Sequence, residues 1–476
     1  MSKPNILLLI LDSVRAKNVG AYGYHRETTP FLSEYATRAS LYQQARSPGI
    51  HSVASHASLW TGTHVEGHQI VQHEDEIKPN TTIWEELSKE GYETGIFTTN
   101  PVVAHASNLS EQFDKRVTDE FVDTERKLFS DAHGPADVAK HEGVIGNLKR
   151  CLHDEHPTHA FLNNVHHFVL QQRSGFTESV ESSEVVKAFQ QWRTNGSGPW
   201  AACINLMDAH FPYEPTEEYN QWGGEELVAL HQNLDGPPVT EFISGRPWWQ
   251  LEAFEHLYDG TILQLDSYVE KIISFLKNID EHDDTLVVIT SDHGEGFGEV
   301  SRLTNRTKMV THSWGIHEVL THVPLVVKYP DQNSSQVISQ PASLVAFPKT
   351  VRAAVERGTD YDSFVPEGPV ITFTTRLRQG DDELFDDSKE NADDYYGPWR
   401  AVYTQAGKTL YKYIERRGDY TSVCLNQNDE EMEGKKIKKK IEEASSSVRE
   451  KENVKKKEAS DTVPEVEQRL SELGYL

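Results

Sequence analysis

The stretch Asn5-Ile-Leu-Leu-Leu-Ile-Leu11 is an unbroken apolar run that ends directly at Asp12. Apolar runs of this length are typical of strands that are buried on both faces of a parallel sheet. Further runs of this kind follow at residues 94–98, 200–206, 286–290 and 323–328. Helical patterns lie between them, at 82–90 and 254–276. Strands that alternate with helices predict an α/β fold with a large, mostly parallel central sheet flanked by helices.

The chain of 476 residues is long enough for one large domain and a smaller second one. We expect a catalytic domain at residues 1–330, with a polar insertion at about 104–195. A smaller C-terminal α+β subdomain is predicted at 331–425. The density of charge at 426–462 predicts a linker that can be disordered. Apolar periodicity predicts a C-terminal helix at 463–476.

The composition is acidic, because 47 Lys and Arg residues stand against 74 Asp and Glu residues, a net charge of −27. Such a surface repels polyanions, so we expect no nucleic-acid partner. We interpret it as that of a halophilic, salt-adapted protein, with an ordinary acidic cytosolic protein as the alternative. The basic cluster 435–440 is interpreted as the solvated face of a frayed helix rather than as a binding patch. The scattered Cys151, Cys203 and Cys424 predict free thiols.

No apolar run approaches the roughly 18 to 20 residues that cross a bilayer, so no membrane span is expected. The apolar run at the start of the chain meets Asp12 without the features of a cleaved signal peptide. We therefore expect a cytoplasmic protein. The sequence does not determine its oligomeric state.

Polar residues that can carry chemistry follow two of the predicted strands. Asp12 follows the first strand, and Asp292 with His293 follows the strand at 286–290. Because ligands bind beyond the carboxyl ends of such strands, we expect these side chains to meet. Two carboxylates and an imidazole form a mixed oxygen and nitrogen site for a divalent cation.

A third segment supplies a hydroxyl. Ser52 lies in a turn that leads into a predicted helix ending near Gly62. A cation beside a hydroxyl lowers its pKa and polarises an ester oxygen, which is what a nucleophilic serine requires. Backbone N–H groups at the start of a helix can hold an oxyanion. Ser52 is therefore the predicted nucleophile.

Ordered motifs are spread along the chain from residue 5 to residue 327. They are the run from Asn5 to Ala16 with Gly20-Ala-Tyr-Gly-Tyr24, Ser55-His-Ala-Ser-Leu-Trp-Thr-Gly62, Gly91-Tyr-Glu-Thr-Gly95, Met207-Asp-Ala-His-Phe-Pro-Tyr-Glu-Pro215, Thr290-Ser-Asp-His-Gly-Glu295, His312-Ser-Trp-Gly-Ile-His-Glu318 and His322-Val-Pro-Leu-Val-Val327. Together they resemble the sulfatase family of the alkaline-phosphatase-like superfamily, and look closest to its acidic archaeal-type members. The resemblance covers roughly residues 4–330 and implies the alkaline-phosphatase-like fold.

The resemblance implies a role for each matching residue. Asp12, Asp292 and His293 would hold one divalent cation (Ca, Mn or Zn), with the nucleophile Ser52 bridging it to the ester. Position 13, where the family has a second acidic ligand, is a serine. The nitrogen ligand from His293 favours Mn or Zn over Ca.

Three further histidines are implied as catalytic and substrate-binding residues. His210 matches a substrate-contacting histidine, although it could instead cap a turn. His312 stands where family members place a residue that contacts the anion or protonates the leaving group, although it could instead be a buried polar residue. His56 occupies the place of an arginine beside the nucleophile.

The run Ser52-Val-Ala-Ser-His56 departs from the pattern of sulfatases that use formylglycine, since it lacks their Pro and Arg. No cysteine stands there, and whether Ser52 is modified to formylglycine stays open. An unmodified serine must release its covalent adduct by attack of water, which favours phosphoester substrates. Overall similarity favours sulfate esters.

We therefore expect a metal-dependent, sulfatase-like hydrolase that cleaves sulfate monoesters through the nucleophile at position 52, a sulfuric ester hydrolase. The alternative is a phosphomonoester or phosphodiester hydrolase, or a phospho-group transferase, that uses the same site. A third hypothesis is a catalytically silent binding protein that kept the fold. By analogy, the substrate is a small anionic ester such as a sulfated or phosphorylated sugar.

Overall fold

The computed structural model of the chain describes residues 3–73, 75–118, 156–160, 162, 182–234, 236–304, 307–358, 361–377, 385, 391–425 and 434–449. These residues form a large eight-stranded sheet, a four-stranded antiparallel sheet and a two-stranded hairpin. The predicted fold, a large and mostly parallel sheet flanked by helices with a smaller C-terminal subdomain, is confirmed. None of the described helices combines the length and hydropathy that crossing a bilayer requires.

The large sheet places the first strand of the chain near its centre. In order across the sheet its strands are β10 (Gln336–Ser343), β2 (Ser40–Arg46), β9 (Leu325–Lys328), β6 (Thr285–Thr290), β1 (Asn5–Leu11), β5 (Trp200–Leu206), β3 (Glu93–Thr98) and β4 (Lys115–Val117). β1 pairs in parallel with both β5 and β6, so the carboxyl ends of three strands lie side by side.

One predicted direction was wrong. The run at 323–328 was expected to be a parallel strand, but β9 is antiparallel to both β6 and β2. Burial on both faces selects apolar residues whichever way a strand runs, so the pattern carries no information about direction.

The described helices lie on both faces of the large sheet and on the C-terminal sheet. They are α1 (Pro30–Tyr35), α2 (Ser52–Thr61), α3 (Val65–His68), α4 (Ile83–Lys89), α5 (Ser182–Asn195), α6 (Glu225–Gln232), α7 (Pro238–Ile243), α8 (Trp248–Asn278), α9 (Glu318–Thr321), α10 (Phe347–Val355) and α11 (Gly434–Arg449). The predicted helices at 82–90 and 254–276 correspond to α4 and to the 31-residue α8. Thr82 and Glu85 form a capping box that fixes the start of α4.

Side chains of β1 alternate between two apolar cores. Leu7 and Leu9 lie in the core that includes α8, while Ile6 and Leu8 lie in the core that includes α2. Each fully buried side chain of this size contributes about 1.5 to 3 kcal/mol relative to an exposed one. The sheet is therefore held from both sides, and its edge is a rigid support for the residues that follow the strands.

The structure describes the predicted insertion at residues 104–118, 156–160, 162 and 182–195. α5 packs on the large sheet, with Phe189 fully buried, so this part belongs to the body of the domain. Residues 119–155 and 163–181 lie outside the described residues. The large sheet also continues past residue 330, since β10 forms one of its edges. The division of the chain into domains stays a prediction.

The C-terminal sheet is a meander of four antiparallel strands. They are β11 (Val370–Thr374), β12 (Trp399–Ala406), β13 (Thr409–Arg416) and β14 (Asp419–Cys424). The hairpin of β7 (Gly296–Val300) and β8 (Lys308–Thr311) forms the two-stranded sheet.

α11 differs from the linker and the frayed helix expected there. Its buried side chains Ile437, Ile441 and Ala444 pack on the C-terminal sheet, while the side chain of Lys439 is 77% exposed. Apolar residues four and then three positions apart share one helix face, and this stripe docks the helix despite the lysines around it. The predicted helix at 463–476 lies outside the described residues.

Replacing Ile441 with alanine is expected to destabilise the C-terminal subdomain by about 2 to 5 kcal/mol, because the side chain is buried between α11 and the sheet. Amide hydrogen exchange of β13 during a urea titration measures the effect. Lys440→Ala, on the exposed face of the same helix, is the control and should change stability by less than about 0.5 kcal/mol. Equal protection in both variants would contradict the docking of α11.

Candidate metal centre and active site

The neighbouring ends of β1 and β6 bring two carboxylates together. Asp12 directly follows β1, and Asp292 lies two residues past β6. With His293 they form a buried group in which one ligand atom from each residue lies within 4.8 Å of the others. The structure therefore brings together the three residues that the sequence predicts as metal ligands.

The hydrogen bonding of His293 indicates that the group of Asp12, Asp292 and His293 suits a cation. Its Nδ1 lies 3.0 Å from the carbonyl oxygen of Gly294, so Nδ1 carries the proton and Nε2 keeps its lone pair. Nε2 lies 3.4 Å from Asp292 Oδ2 and 3.9 Å from Asp12 Oδ1, and no donor among the described residues reaches it. Three buried acceptors that face one another repel, and a divalent cation between them removes the repulsion.

The electrostatics of the two carboxylates are unequal. Burial and the charge of Asp12 raise the pKa of Asp292. The pKa of Asp12 is lowered, because His293, His210 and a hydrogen bond from Asn205 outweigh the effect of burial. Burial lowers the pKa of His293, which favours the neutral imidazole that binds metals. The negative charge of Asp12 thus disfavours ionisation of Asp292, and a bound cation would favour the ionised form of both carboxylates.

Ser13 ties the two carboxylates together. Its hydroxyl donates to Asp12 Oδ1 at 3.0 Å, and its backbone N–H lies 3.4 Å from Asp292 Oδ1. The residue has a φ of 62°, in the left-handed region that non-glycine residues seldom occupy. Members of the family that the sequence resembles have a second acidic ligand at position 13. This chain has a serine there, and its hydroxyl and backbone N–H orient the two carboxylates.

Gly294 is required by a close approach between two backbone segments. A Cβ atom at this position would lie 1.9 Å from the carbonyl oxygen of Val319 in α9. The backbone N–H groups of Gly294 and Glu295 donate to Leu320 O and Val319 O, at 2.9 and 3.1 Å. The loop that carries the ligands is therefore packed directly on α9.

The nucleophile predicted from the sequence lies at the metal centre. Ser52 is the first residue of α2, after the N-cap His51. Its Oγ lies 3.1 Å from Nδ2 of Asn100, and the same nitrogen donates to Asp12 Oδ2 at 2.9 Å. One amide group therefore contacts both the hydroxyl and a carboxylate of the metal group. The hydroxyl of Ser47 also donates to the carbonyl oxygen of Asp292, which joins the two loops.

Two site residues were missed by the sequence analysis. Asn100 and Asn205 both donate to Asp12 Oδ2, the latter at 3.1 Å. The orientation of Asn100 is fixed because its Oδ1 accepts from the backbone N–H groups of Val102 and Val103. Asn205 lies near the carboxyl end of β5, beside β1, and Asn100 lies two residues past β3, which is beside β5. A search of the strand ends for polar residues would have found both.

The two histidines predicted to contact the substrate converge on the same centre. The ring of His312 lies 4.3 Å from that of His293 and 5.0 Å from that of His210. Burial lowers the pKa of His210 to about 4, and burial together with the neighbouring histidines and Arg376 lowers that of His312 well below its usual value. A third missed residue, the buried Glu295, lies 3.5 Å from His312 Nδ1.

His56 is placed differently from those two histidines. Its Nδ1 lies 2.8 Å from the carbonyl oxygen of Ser52 and 3.7 Å from Asp292 Oδ2, and its ring packs edge-on against Trp60. It therefore supports the first turn of α2 next to a metal ligand. Its contact with substrate stays a prediction.

The chain is similar in sequence to members of a known protein family. A family model described as Sulfatase matches residues 4–356. Human iduronate 2-sulfatase is 21% identical over 362 residues, which cover 70% of this chain and 60% of that protein. The chain therefore matches less than two thirds of the length of this relative.

Solved structures share the fold along nearly the whole chain. The phosphonate monoester hydrolase of Agrobacterium radiobacter has a TM-score of 0.62 at 16% identity, over 95% of this chain and 96% of that one. A protein solved in complex with its substrate D-glucosamine-2-N,6-O-disulfate has a TM-score of 0.63 at 12% identity, over 94% and 99%. At these identities the likeness shows the alkaline-phosphatase-like fold and not the activity.

Replacing Asn100 with alanine is expected to weaken Mn²⁺ binding by about 10- to 100-fold, because Asp12 loses a donor that orients it. Isothermal titration of Mn²⁺ into the two proteins measures the difference. Asn278→Ala, at the exposed end of α8, is the control and should bind like the unmodified chain. Unchanged affinity in the Asn100 variant would show that the amide does not support the metal group.

Proposed function

The chain belongs to the sulfatase family, and from this membership we propose that it is a metal-dependent hydrolase of sulfate monoesters. The matched residues 4–356 include the metal group and Ser52. The observation that carries the proposal is the contact of one amide, that of Asn100, with both the Ser52 hydroxyl and the Asp12 carboxylate. It puts a nucleophile beside the metal ligands, and this argues against a catalytically silent protein.

The geometry supports a serine-based mechanism. A divalent cation held by Asp12, Asp292 and His293 would lower the pKa of the nearby hydroxyl and polarise the ester. Ser52 Oγ attacks sulfur as the bond from sulfur to the alcohol oxygen breaks, and the proton that the serine hydroxyl loses ends on the departing alcohol. The first N–H groups of α2 stabilise the charge that develops on the sulfate oxygens.

The histidines act on the two ends of the ester. A ring N–H of His312 donates to the leaving alcohol oxygen, and His210 orients the sulfate group. Both imidazoles have a lowered pKa, so they act as neutral hydrogen-bonding groups. Water then attacks the sulfur of the serine adduct and the bond from sulfur to Ser52 Oγ breaks: the water oxygen leaves in the sulfate, and one water proton passes to Ser52 Oγ.

Ser52→Ala is expected to lower hydrolysis of 4-nitrophenyl sulfate by about 1,000-fold or more, because the attacking atom is removed. Three ligands remain, so Mn²⁺ binding should persist, and titration of the variant checks this. The control is Ser446→Ala, an exposed serine of α11, which should hydrolyse the ester at the normal rate. Full activity in the Ser52 variant would exclude the serine as nucleophile.

A second candidate function is hydrolysis or transfer of a phosphoester at the same site. The run Ser52-Val-Ala-Ser-His56 favours it, because without formylglycine the adduct must be released by water. Parallel assays with 4-nitrophenyl sulfate, 4-nitrophenyl phosphate and bis(4-nitrophenyl) phosphate distinguish the two functions. Intact mass spectrometry distinguishes serine from formylglycine, which has two hydrogens fewer.

We propose a sulfated sugar as the substrate class. The relative named iduronate 2-sulfatase and the neighbour solved with a glucosamine disulfate support this choice. For the cation we propose Mn or Zn before Ca, because His293 offers nitrogen. The metal content of the purified chain tests the assignment.

We also propose that the acidic surface is an adaptation to high salt. Raising KCl from about 0.1 M to about 1 M shortens the Debye length from about 10 Å to about 3 Å. Repulsion among the 74 acidic residues is then screened, and the Tm is expected to rise. Choline chloride should act alike, because screening depends on ionic strength. A lower Tm at high salt would contradict the adaptation.

The archaeal-type origin and the cytoplasmic location stay predictions.

A further inference from the structure

Arg376 reaches the candidate site from the C-terminal sheet. It lies two residues past β11 (Val370–Thr374), and its Nη1 lies 3.5 Å from the carbonyl oxygen of His312. Its backbone N–H donates to Thr374 Oγ1 at 3.2 Å, which fixes the turn after the strand. The side chain is half-buried, so it is not sealed in the core.

The position of Arg376 relative to the nucleophile is set by hydrogen bonds. Thr372 Oγ1 donates to the carbonyl oxygen of Ser47 at 2.6 Å, and the N–H of Phe373 donates to that of Pro48 at 2.9 Å. Residues 47 and 48 belong to the loop that leads into α2. β11 is therefore fastened to the loop that positions Ser52.

The positive charge of the guanidinium group contributes to the lowered pKa of several histidines in the site. Four histidines from different segments have their pKa lowered, first by burial and then by charges that include that of Arg376: His51, His210, His293 and His312. A guanidinium keeps its charge at every working pH. The two ligand carboxylates offset a divalent cation, and α2 itself carries neither lysine nor arginine. Arg376 thus adds positive charge where an anion would bind.

We propose that Arg376 binds the sulfate group of the ester substrate, through N–H donors that face two of its oxygens. This inference rests on the proposed function. A guanidinium fork matches the geometry of such oxyanions better than an ammonium group does. The residue lies beyond the family match at 4–356, so the C-terminal subdomain supplies this contact.

The test compares Arg376→Gln and Arg376→Lys with Arg417→Gln. Arg417 lies between β13 and β14 of the same sheet, is exposed and pairs with Asp393. Sodium sulfate is titrated calorimetrically into the Mn²⁺-loaded proteins, and KM and kcat are measured with 4-nitrophenyl sulfate. Thermal unfolding of each protein checks folding.

Arg376→Gln is expected to weaken sulfate binding and raise KM by about 10- to 100-fold, the effect of losing charged hydrogen bonds. Arg376→Lys should recover part of the binding, and Arg417→Gln should match the unmodified chain. Normal sulfate affinity and KM in Arg376→Gln would overturn the inference and leave the proposed function intact.

Two other results are informative. A loss confined to substrates with a second anionic group, such as D-glucosamine-2-N,6-O-disulfate, would overturn the inference, because Arg376 would then bind the leaving-group side. An unmodified chain that neither binds sulfate nor hydrolyses the ester would overturn the proposed function and the inference with it.

Discussion

Parallel hydrogen bonding of β1 (Asn5–Leu11) with β5 and β6 is the constraint on which the candidate site depends. Each of these strands ends at the same edge of the sheet, so Asp12 and Asp292, 280 positions apart in the sequence, become neighbours. Asp12 and Asp292 are fully buried there. The surrounding groups are then needed to keep two acids and an imidazole in one small volume.

The groups around the metal-binding residues keep the two carboxylates and the imidazole in place. Ser13 and Asn100 donate to the carboxylates, and Gly294 lets the ligand loop pack on α9 (Glu318–Thr321). α2 enters from the other side and is fixed by its loop to both the ligand loop and the C-terminal sheet. Pre-oriented ligands and a pre-oriented hydroxyl are what hydrolytic chemistry at a cation requires.

Sequence patterns were sufficient for the fold and for the residues that follow apolar runs. Strand ends that meet at one edge of the sheet predicted Asp12, Asp292 and His293, and a turn that leads into a helix predicted Ser52. The sequence patterns did not single out Asn100, which follows β3, because the place of β3 beside β5 and one strand away from β1 is known only from the structure. The direction of β9 was missed for a related reason, since burial does not encode direction. The docking of α11 was not predicted, because its apolar stripe is narrow and the many lysines around it are typical of a solvated helix.

The close contact at Gly294 has a consequence for reading related sequences. With a methyl group there, the ligand loop and α9 could not both keep their places, so one of them would have to shift. A shift of the loop would carry His293 with it, away from the two acids. A homologous chain with any other residue at this position has therefore rebuilt its metal pocket or abandoned it, and this one letter distinguishes such chains before a structure is available.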